Sequence, residues 1–244
     1  MDRLFIDDSL AENLRWNETG YGGIAPVMQW SVKQHLTIYS VGYFCGNGDV
    51  HSRDLNSGKT VQVPGVEAAL SHSGTIVTIL GNGTLGLKLC ESPGMVAMVH
   101  PAGAPGSRAI TTGELPTWGI GDKHVYFVQR TTRQVLGDPM DYATRACTSS
   151  IWRANGDGSH LQRLLVQDVF AFGPLQLTAD GQSLIFSSVE NPWNIWRHQP
   201  TTIAGYTPDF VKAYGPQVSV RMLNLSTGKL TTLVHNAGRP AVQP

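Results

Sequence analysis

"IWRANGDGSHLQRLL", residues 151–165, decides the fold. An apolar run meets a polar turn of Asn155, Gly156, Asp157 and Gly158, and a second apolar run follows. A calcium loop of the EF-hand kind needs acidic ligands at alternate positions and a distal Glu. Here only Asp157 is acidic and no Glu follows. A phosphate cradle needs a Gly-rich turn that feeds a helix. This turn feeds "SHLQRLL", whose equivalents elsewhere in the chain read as strands. What is left is a hairpin, with Gly158 at a position that tolerates positive φ.

The hairpin recurs. Two kinds of segment alternate along the chain. The first is an apolar strand, a short polar turn and a stronger apolar strand: "VMQWSVKQHLTIYSVG" from Val27, "AALSHSGTIVTILG" from Ala68, "LPTWGIGDKHVYFVQ" from Leu115 and "LQLTADGQSLIFSS" from Leu175. The second is a strand, a Gly-containing turn and a strand: "DVHSRDLNSGKTVQV" from Asp49, "SSIWRANGDGSHLQRLL" from Ser149, "VSVRMLNLSTGKLTTLV" from Val218 and a weaker copy, "LGLKLCESPGMVAMV" from Leu85. In "SLIFSS", Leu184 and Phe186 face one way, Ile185 and Ser187 the other. "HVYFVQ" is apolar on both faces, as a strand inside packed sheets should be. Each unit is therefore four antiparallel strands, and units start near residues 26, 66, 114 and 173. Spacings of about 40 to 60 residues are those of propeller blades, whose stacking buries faces that a single sheet leaves wet.

These segments resemble a known family. "IWRANGDGSHLQRLL" looks like the "IYxxNxDGxxxxxLT" hairpin of TolB-like, WD-like β-propeller repeats. "LQLTADGQSLIFSS" resembles the partner "PxWSPDGxxIAFxS", and "LPTWGIGDKHVYFV" is a looser copy that keeps Trp118. The resemblance runs from about residue 26 to the end and is strongest from 114 onward. It implies an all-β chain: a β-propeller of four-stranded antiparallel blades, with four full blades at 26–65, 66–113, 114–172 and 173–236. Residues 1–25 and 237–244 form a partial or composite fifth blade, with strands expected over Leu4 to Ile6 and Asn13 to Trp16. A single domain over 1–244 and a fragment of a longer propeller both fit. The family implies a role as an interaction platform. Similar repeats also precede the catalytic domain of prolyl-oligopeptidase-like serine peptidases.

Composition narrows the function classes. Lys plus Arg and Asp plus Glu both number 18, so net charge is zero and no basic stripe favours nucleic acid. Cys45, Cys90 and Cys147 are widely spaced without a CxxC, which speaks against structural zinc. "MDRLFIDDSLAENLRW" has acids where a signal peptide needs a basic and then an apolar segment, and no stretch approaches a membrane span of about 18 apolar residues. A soluble, cytoplasmic protein without membrane insertion is the expectation.

Two insertions interrupt the repeat between the second and third strands of consecutive blades: 131–148, "TTRQVLGDPMDYATRACT", and 189–217, "VENPWNIWRHQPTTIAGYTPDFVKAYGPQ". Because strands alternate in direction, both are expected on one face. Long loops inside a compact domain are more often functional than idle. The second holds Trp193, Trp196, Arg197, His198 and Tyr206, residue types that dominate binding hot spots. The first offers Asp141 and Tyr142, beside Asp138 and Arg145. The aromatics either form a plug that packs the loop onto its blade or a surface for a protein, peptide or glycan. No GxSxG elbow and no HExxH occurs, and the eight histidines are scattered, with His35, His72 and His124 near equivalent turns. No catalytic residue, metal or cofactor is assigned. A binding scaffold is expected rather than an enzyme; the alternative is a propeller that supports a hydrolase lying outside residues 1–244.

Overall fold

A computed structural model describes residues 2–6, 9–14, 28–31, 33–41, 49–65, 68–80, 95–99, 108–134, 145–167, 170–190 and 217–235. Among these the chain is all-β: strands and tight turns, with a single 3-10 turn at Ile120–Asp122. The strands are β1 (Asp2–Ile6), β2 (Ser9–Leu14), β3 (Met28–Ser31), β4 (Leu36–Val41), β5 (Asp49–Asp54), β6 (Thr60–Val63), β7 (Ala68–Leu70), β8 (Ile76–Leu80) and β9 (Met95–Val99). They continue as β10 (Arg108–Thr112), β11 (Glu114–Trp118), β12 (His124–Gln134), β13 (Arg145–Asn155), β14 (Gln162–Gln167), β15 (Phe170–Leu177), β16 (Ser183–Glu190), β17 (Gln217–Asn224) and β18 (Leu230–His235). Sixteen of them form four four-stranded sheets in sequence order: β3–β6, β7–β10, β11–β14 and β15–β18. The ladders with described registers are antiparallel.

The apolar runs explain the strands. Val125, Tyr126, Phe127 and Val128 are all buried, as are Ile76, Val77 and Ile79, so β12 and β8 are covered on both faces. In β16 the alternation holds Leu184 and Phe186 on one face, and Ser187 on the other is buried as well. Full burial of each such side chain contributes about 1.5 to 3 kcal/mol.

The chain divides into two compact units. One comprises residues 1–127 and 153–161, the other 128–152 and 162–244. In the first, consecutive sheets pack face to face: Ile38, Val50 and Val63 of the first sheet share a cluster with Ile76 of the second, and Ala68 and Leu70 pack against it. The first strands β3, β7 and β11 neighbour one another without sharing a ladder. Side chains join them instead. Gln29 Oε1 accepts from the Leu70 amide (2.8 Å), and the Trp118 indole Nε1 donates to the Ala69 carbonyl (3.0 Å). Trp118 thus ties the third sheet to the second.

Three expectations shift. In the second sheet the third strand is β9, paired Leu80↔Met95 through Ile76↔Val99, and the fourth is β10. The Pro93–Gly94 step, expected between the third and fourth strands, precedes the third strand in sequence instead, and Pro105–Gly106 falls between the two. At the N-terminus, β2 starts at Ser9 rather than Asn13, because only residues 7 and 8 separate it from β1. The two pair as a sheet of their own, Asp2↔Leu14 to Ile6↔Ser9. The insertions are also narrower than 131–148 and 189–217. β12 runs to Gln134, β13 resumes at Arg145 and β16 continues to Glu190, since strand-favouring Thr131, Thr132, Thr148 and Val189 extend the ladders.

Candidate functional site

The opening turn is a bend between strands. Gly158 adopts φ +81 and donates to the Asn155 carbonyl (2.8 Å), and the Ser159 amide donates to Asp157 Oδ1 (2.8 Å). Hydrogen bonds from the Ser159 side chain and amide hold the Asp157 carboxyl below its ordinary value. The acid is consumed by its own turn. Asp54 and Asn224 play the same part in "DLNSGK" and "NLSTGK": Asp54 accepts from three groups of Asn56 and Ser57, and Asn224 from four groups of Ser226 and Thr227.

A long-range clasp recurs beside these turns. Just after the third strand, an amide donates across the sheet to the carbonyl of the residue just before the second: Leu55 to His35 (2.7 Å), Gly156 to Lys123 (2.7 Å) and Leu225 to Gln182 (2.9 Å). It closes the two hairpins of a sheet at one end. The opposite end of each sheet is where the second strand leaves for the third, and that is where both insertions depart.

Between the second and third sheets sits a carboxylate. Asp122, at φ +59, accepts from the His72 amide (2.8 Å) and the Ser73 amide (2.6 Å). Burial pushes its carboxyl up, but the Ser73 side chain, the His72 and Ser73 amides and the Ser71 hydroxyl outweigh that and leave it below 3.8. On the preceding side, Ser31 Oγ donates to the His72 carbonyl (3.1 Å). So the turn of residues 71–74 is gripped from both neighbours. No sequence pattern had flagged Asp122; its position directly after Gly121 in an exposed turn was the only local signal.

His124 begins β12 edge-to-face on Tyr126, with ring centroids 6.2 Å apart, and its Nδ1 is buried without a hydrogen-bond partner. Burial, then the positive charges of Arg153 and Lys123, depress its pKa below 6.5 against a hydrogen bond to the Ala154 backbone. The unfolded chain therefore takes up the proton first as pH falls through 6.5. Urea midpoints measured from pH 8 to pH 5 should fall over that interval, and His124→Phe should flatten the fall.

All the site residues expected from sequence, Trp193, Trp196, Arg197, His198, Tyr206, Tyr142 and Asp141, lie outside the described residues. What is described is the stem beneath one insertion: the β16–β17 ladder is unbroken from Ser183↔Asn224 to Glu190↔Gln217. In the same unit, Trp152 donates from its indole to Ser150 Oγ (2.8 Å) and carries Arg163 over its ring at 6.0 Å. Among the described residues no group of three His, Cys, Asp or Glu side chains is placed to hold a metal. No helix among them is long and apolar enough to cross a membrane.

Four-stranded antiparallel sheets in sequence order, with β3, β7 and β11 side by side but unladdered, are the pattern of a β-propeller class of chain. Its structural neighbours are TolB and other β-propeller proteins. The chain is similar to the putative TolB of Agrobacterium tumefaciens at 13% identity and TM-score 0.51, covering 85% of this chain and 64% of that one. It is similar to the acylaminoacyl peptidase of Pyrococcus horikoshii at 10% identity and TM-score 0.52, covering 87% and 32%. TolB from Acinetobacter baumannii follows at 14% identity and TM-score 0.48, covering 87% and 43%. These identities show the fold alone, and the chain spans less than two thirds of the length of each of these neighbours. No family model and no curated protein matches it.

Proposed function

We propose that the chain is a non-enzymatic binding scaffold: a propeller of four full blades, with a fifth built partly from the β1–β2 hairpin, that offers its two insertions on one face to a protein, peptide or glycan. The observation that carries this reading is the continuous β16–β17 ladder ending at Glu190↔Gln217. It is a stem for residues 191–216, the segment that holds Trp193, Trp196, Arg197, His198 and Tyr206. The stem of the other insertion, residues 128–134 and 145–152, belongs to the same compact unit. In both cases the insertion joins the second and third strands of its sheet, so both leave from corresponding ends. Rigid stems with aromatic loops suit recognition, because the sheet has already met the ordering cost that a free peptide would carry.

The test is capture on the immobilised chain from extract and from peptide and glycan libraries, followed by titration of what binds. Trp193→Ala or Trp196→Ala should weaken that partner by about 30-fold, near 2 kcal/mol. Unchanged affinity in both variants returns the aromatics to the role of a plug. The likeness to a peptidase propeller favours a second reading, in which this chain supports a hydrolase domain encoded elsewhere in the gene. A GxSxG motif read beyond codon 244 supports it; a stop codon there removes it.

A further inference from the structure

The clasp of the third sheet differs from the others in one residue. Just after the third strand, the first and fourth sheets have Leu55 and Leu225, whereas the third has Gly156. A Cβ there would run into the Asp122 carbonyl oxygen, so the Asp122 turn admits only glycine. That packing demand creates an Asn155–Gly156 step, and such a step is chemically labile. The glycine nitrogen can attack the asparagine Cγ because no side chain on the following residue shields it. Ammonia leaves and a succinimide closes. Water then opens the ring to aspartate, or to isoaspartate, in which the backbone runs through the side chain and is longer. Asn224 occupies the equivalent position in the fourth sheet, but Leu225 follows it.

The fold holds this step away from reaction. The peptide between Asn155 and Gly156 is fixed at both edges: its carbonyl accepts from the Gly158 amide (2.8 Å), and its N–H donates to the Lys123 carbonyl (2.7 Å). Before the nitrogen can reach Cγ, it must shed that proton and its peptide plane must turn toward the side chain. The side chain is held as well. Asn155 Nδ2 donates to Ser159 Oγ (3.0 Å) and stands 3.2 Å from His160 Nδ1. An amide nitrogen gives hydrogen bonds and does not accept them, so the imidazole nitrogen is the receiver. We propose that Asn155–Gly156 is a modification site gated by the clasp. While Gly156 is bonded to Lys123, Asn155 keeps its amide. When the junction opens, water or hydroxide takes the Gly156 proton, the nitrogen–Cγ bond forms, the Cγ–Nδ2 bond breaks, and ammonia departs with a proton. Water completes the conversion, and nothing is oxidised or reduced. Formation of isoaspartate is one-way for the fold. The Asn155 amide donates to the Ser159 carbonyl (2.8 Å), and a lengthened backbone cannot keep that bond and also return Gly156 to Lys123. An opening of the turn that joins the second and third sheets is thereby recorded covalently.

The full chain is incubated native and, in parallel, unfolded in urea at the same pH and temperature. Retention of the Asn155 amide is followed by mass spectrometry of the peptide that carries it. Loss should be at least about tenfold slower in the native chain. Ser159→Ala keeps both residues of the step and removes a partner of the side chain; Asp122→Ala loosens the turn against which the clasp closes. Each should speed native loss at least about fivefold and leave the rate in urea unchanged. Leu184→Ala truncates the core of the fourth sheet and should leave native loss at the wild-type rate. Equal loss in native and unfolded wild type overturns the proposal, and so does a native Ser159→Ala rate equal to wild type. Acceleration by Leu184→Ala that matches Asp122→Ala assigns the loss to global unfolding and overturns it too. Should either truncation fail to fold, Ser159→Ala decides alone. In chain aged in urea and refolded, the isoaspartate fraction should exchange its Gly156 amide proton at least about tenfold faster than unmodified chain. Equal exchange overturns the one-way character of the change.

Discussion

Gly156→Ala should destabilise the chain by about 3 kcal/mol or more, seen as a lower urea midpoint at an unchanged m-value. Gly156 donates to the Lys123 carbonyl at 2.7 Å, which brings the two hairpins of the third sheet together. A Cβ at this position would run into the Asp122 carbonyl oxygen and press on the carbonyl carbon behind it. The obstacle is backbone, so no side chain can rotate away, and relief requires the clasp to open. The clasp itself does not demand glycine, because Leu55 and Leu225 make the same bond in the first and fourth sheets. The demand comes from the Asp122 turn. Gly228→Ala is the matched control: φ is +68 there and nothing lies within 4 Å of the added carbon. It should cost only about 1 kcal/mol, the price of the left-handed backbone. Equal losses in the two variants would remove the clash from the account.

The strands were legible for a physical reason. Runs such as "HVYFVQ" and "TIVTILG" are too short for buried helices, are rich in β-branched and aromatic residues, and are bounded by turn formers. Pairing between them was less legible. Residues 85–99 and 93–112 each offer an apolar run beside a Pro-Gly step, and only the ladder to Ile76–Leu80 chooses the second. Alternation placed Ser187 opposite Phe186 correctly, yet it could not foresee that Ser187 and Ser188 are both buried, because that depends on what covers each face. The clasps were invisible: His72 and Asp122 are fifty positions apart, and nothing local in either turn encodes the other. As for the binding residues, residue type suggested Trp193, Trp196 and their neighbours. Loop length and composition carry that suggestion, and neither specifies geometry.

Asp122→Ala should cost about 3 kcal/mol, from two sources. Two charge-assisted hydrogen bonds to the His72 and Ser73 amides are lost, each worth about 1 kcal/mol in this partly solvated turn. The position also has φ +59, which aspartate tolerates better than alanine by about 1 kcal/mol. Asp122→Asn keeps the backbone tolerance and one acceptor oxygen, so it should lose about half as much. Both variants also differ from wild type in their response to pH. Because the folded carboxyl lies below 3.8, its contribution is complete above that value and is lost as pH falls through the folded pKa. Wild type should shed that part of its stability on acidification, and Asp122→Asn should not. The Asp122 carbonyl is also the atom that a Cβ on Gly156 would strike, so the two changes act on one junction. Gly156→Ala already displaces Asp122 from the turn of residues 71–74, and Asp122→Ala then has less left to remove. The double variant should fall short of the sum of the single losses by at least about 1 kcal/mol. Additivity within about 0.5 kcal/mol would mean that the clasp inside the third sheet and the carboxylate grip on the second are independent, and that the sheets of this unit are joined by separate contacts rather than by a single cooperating turn.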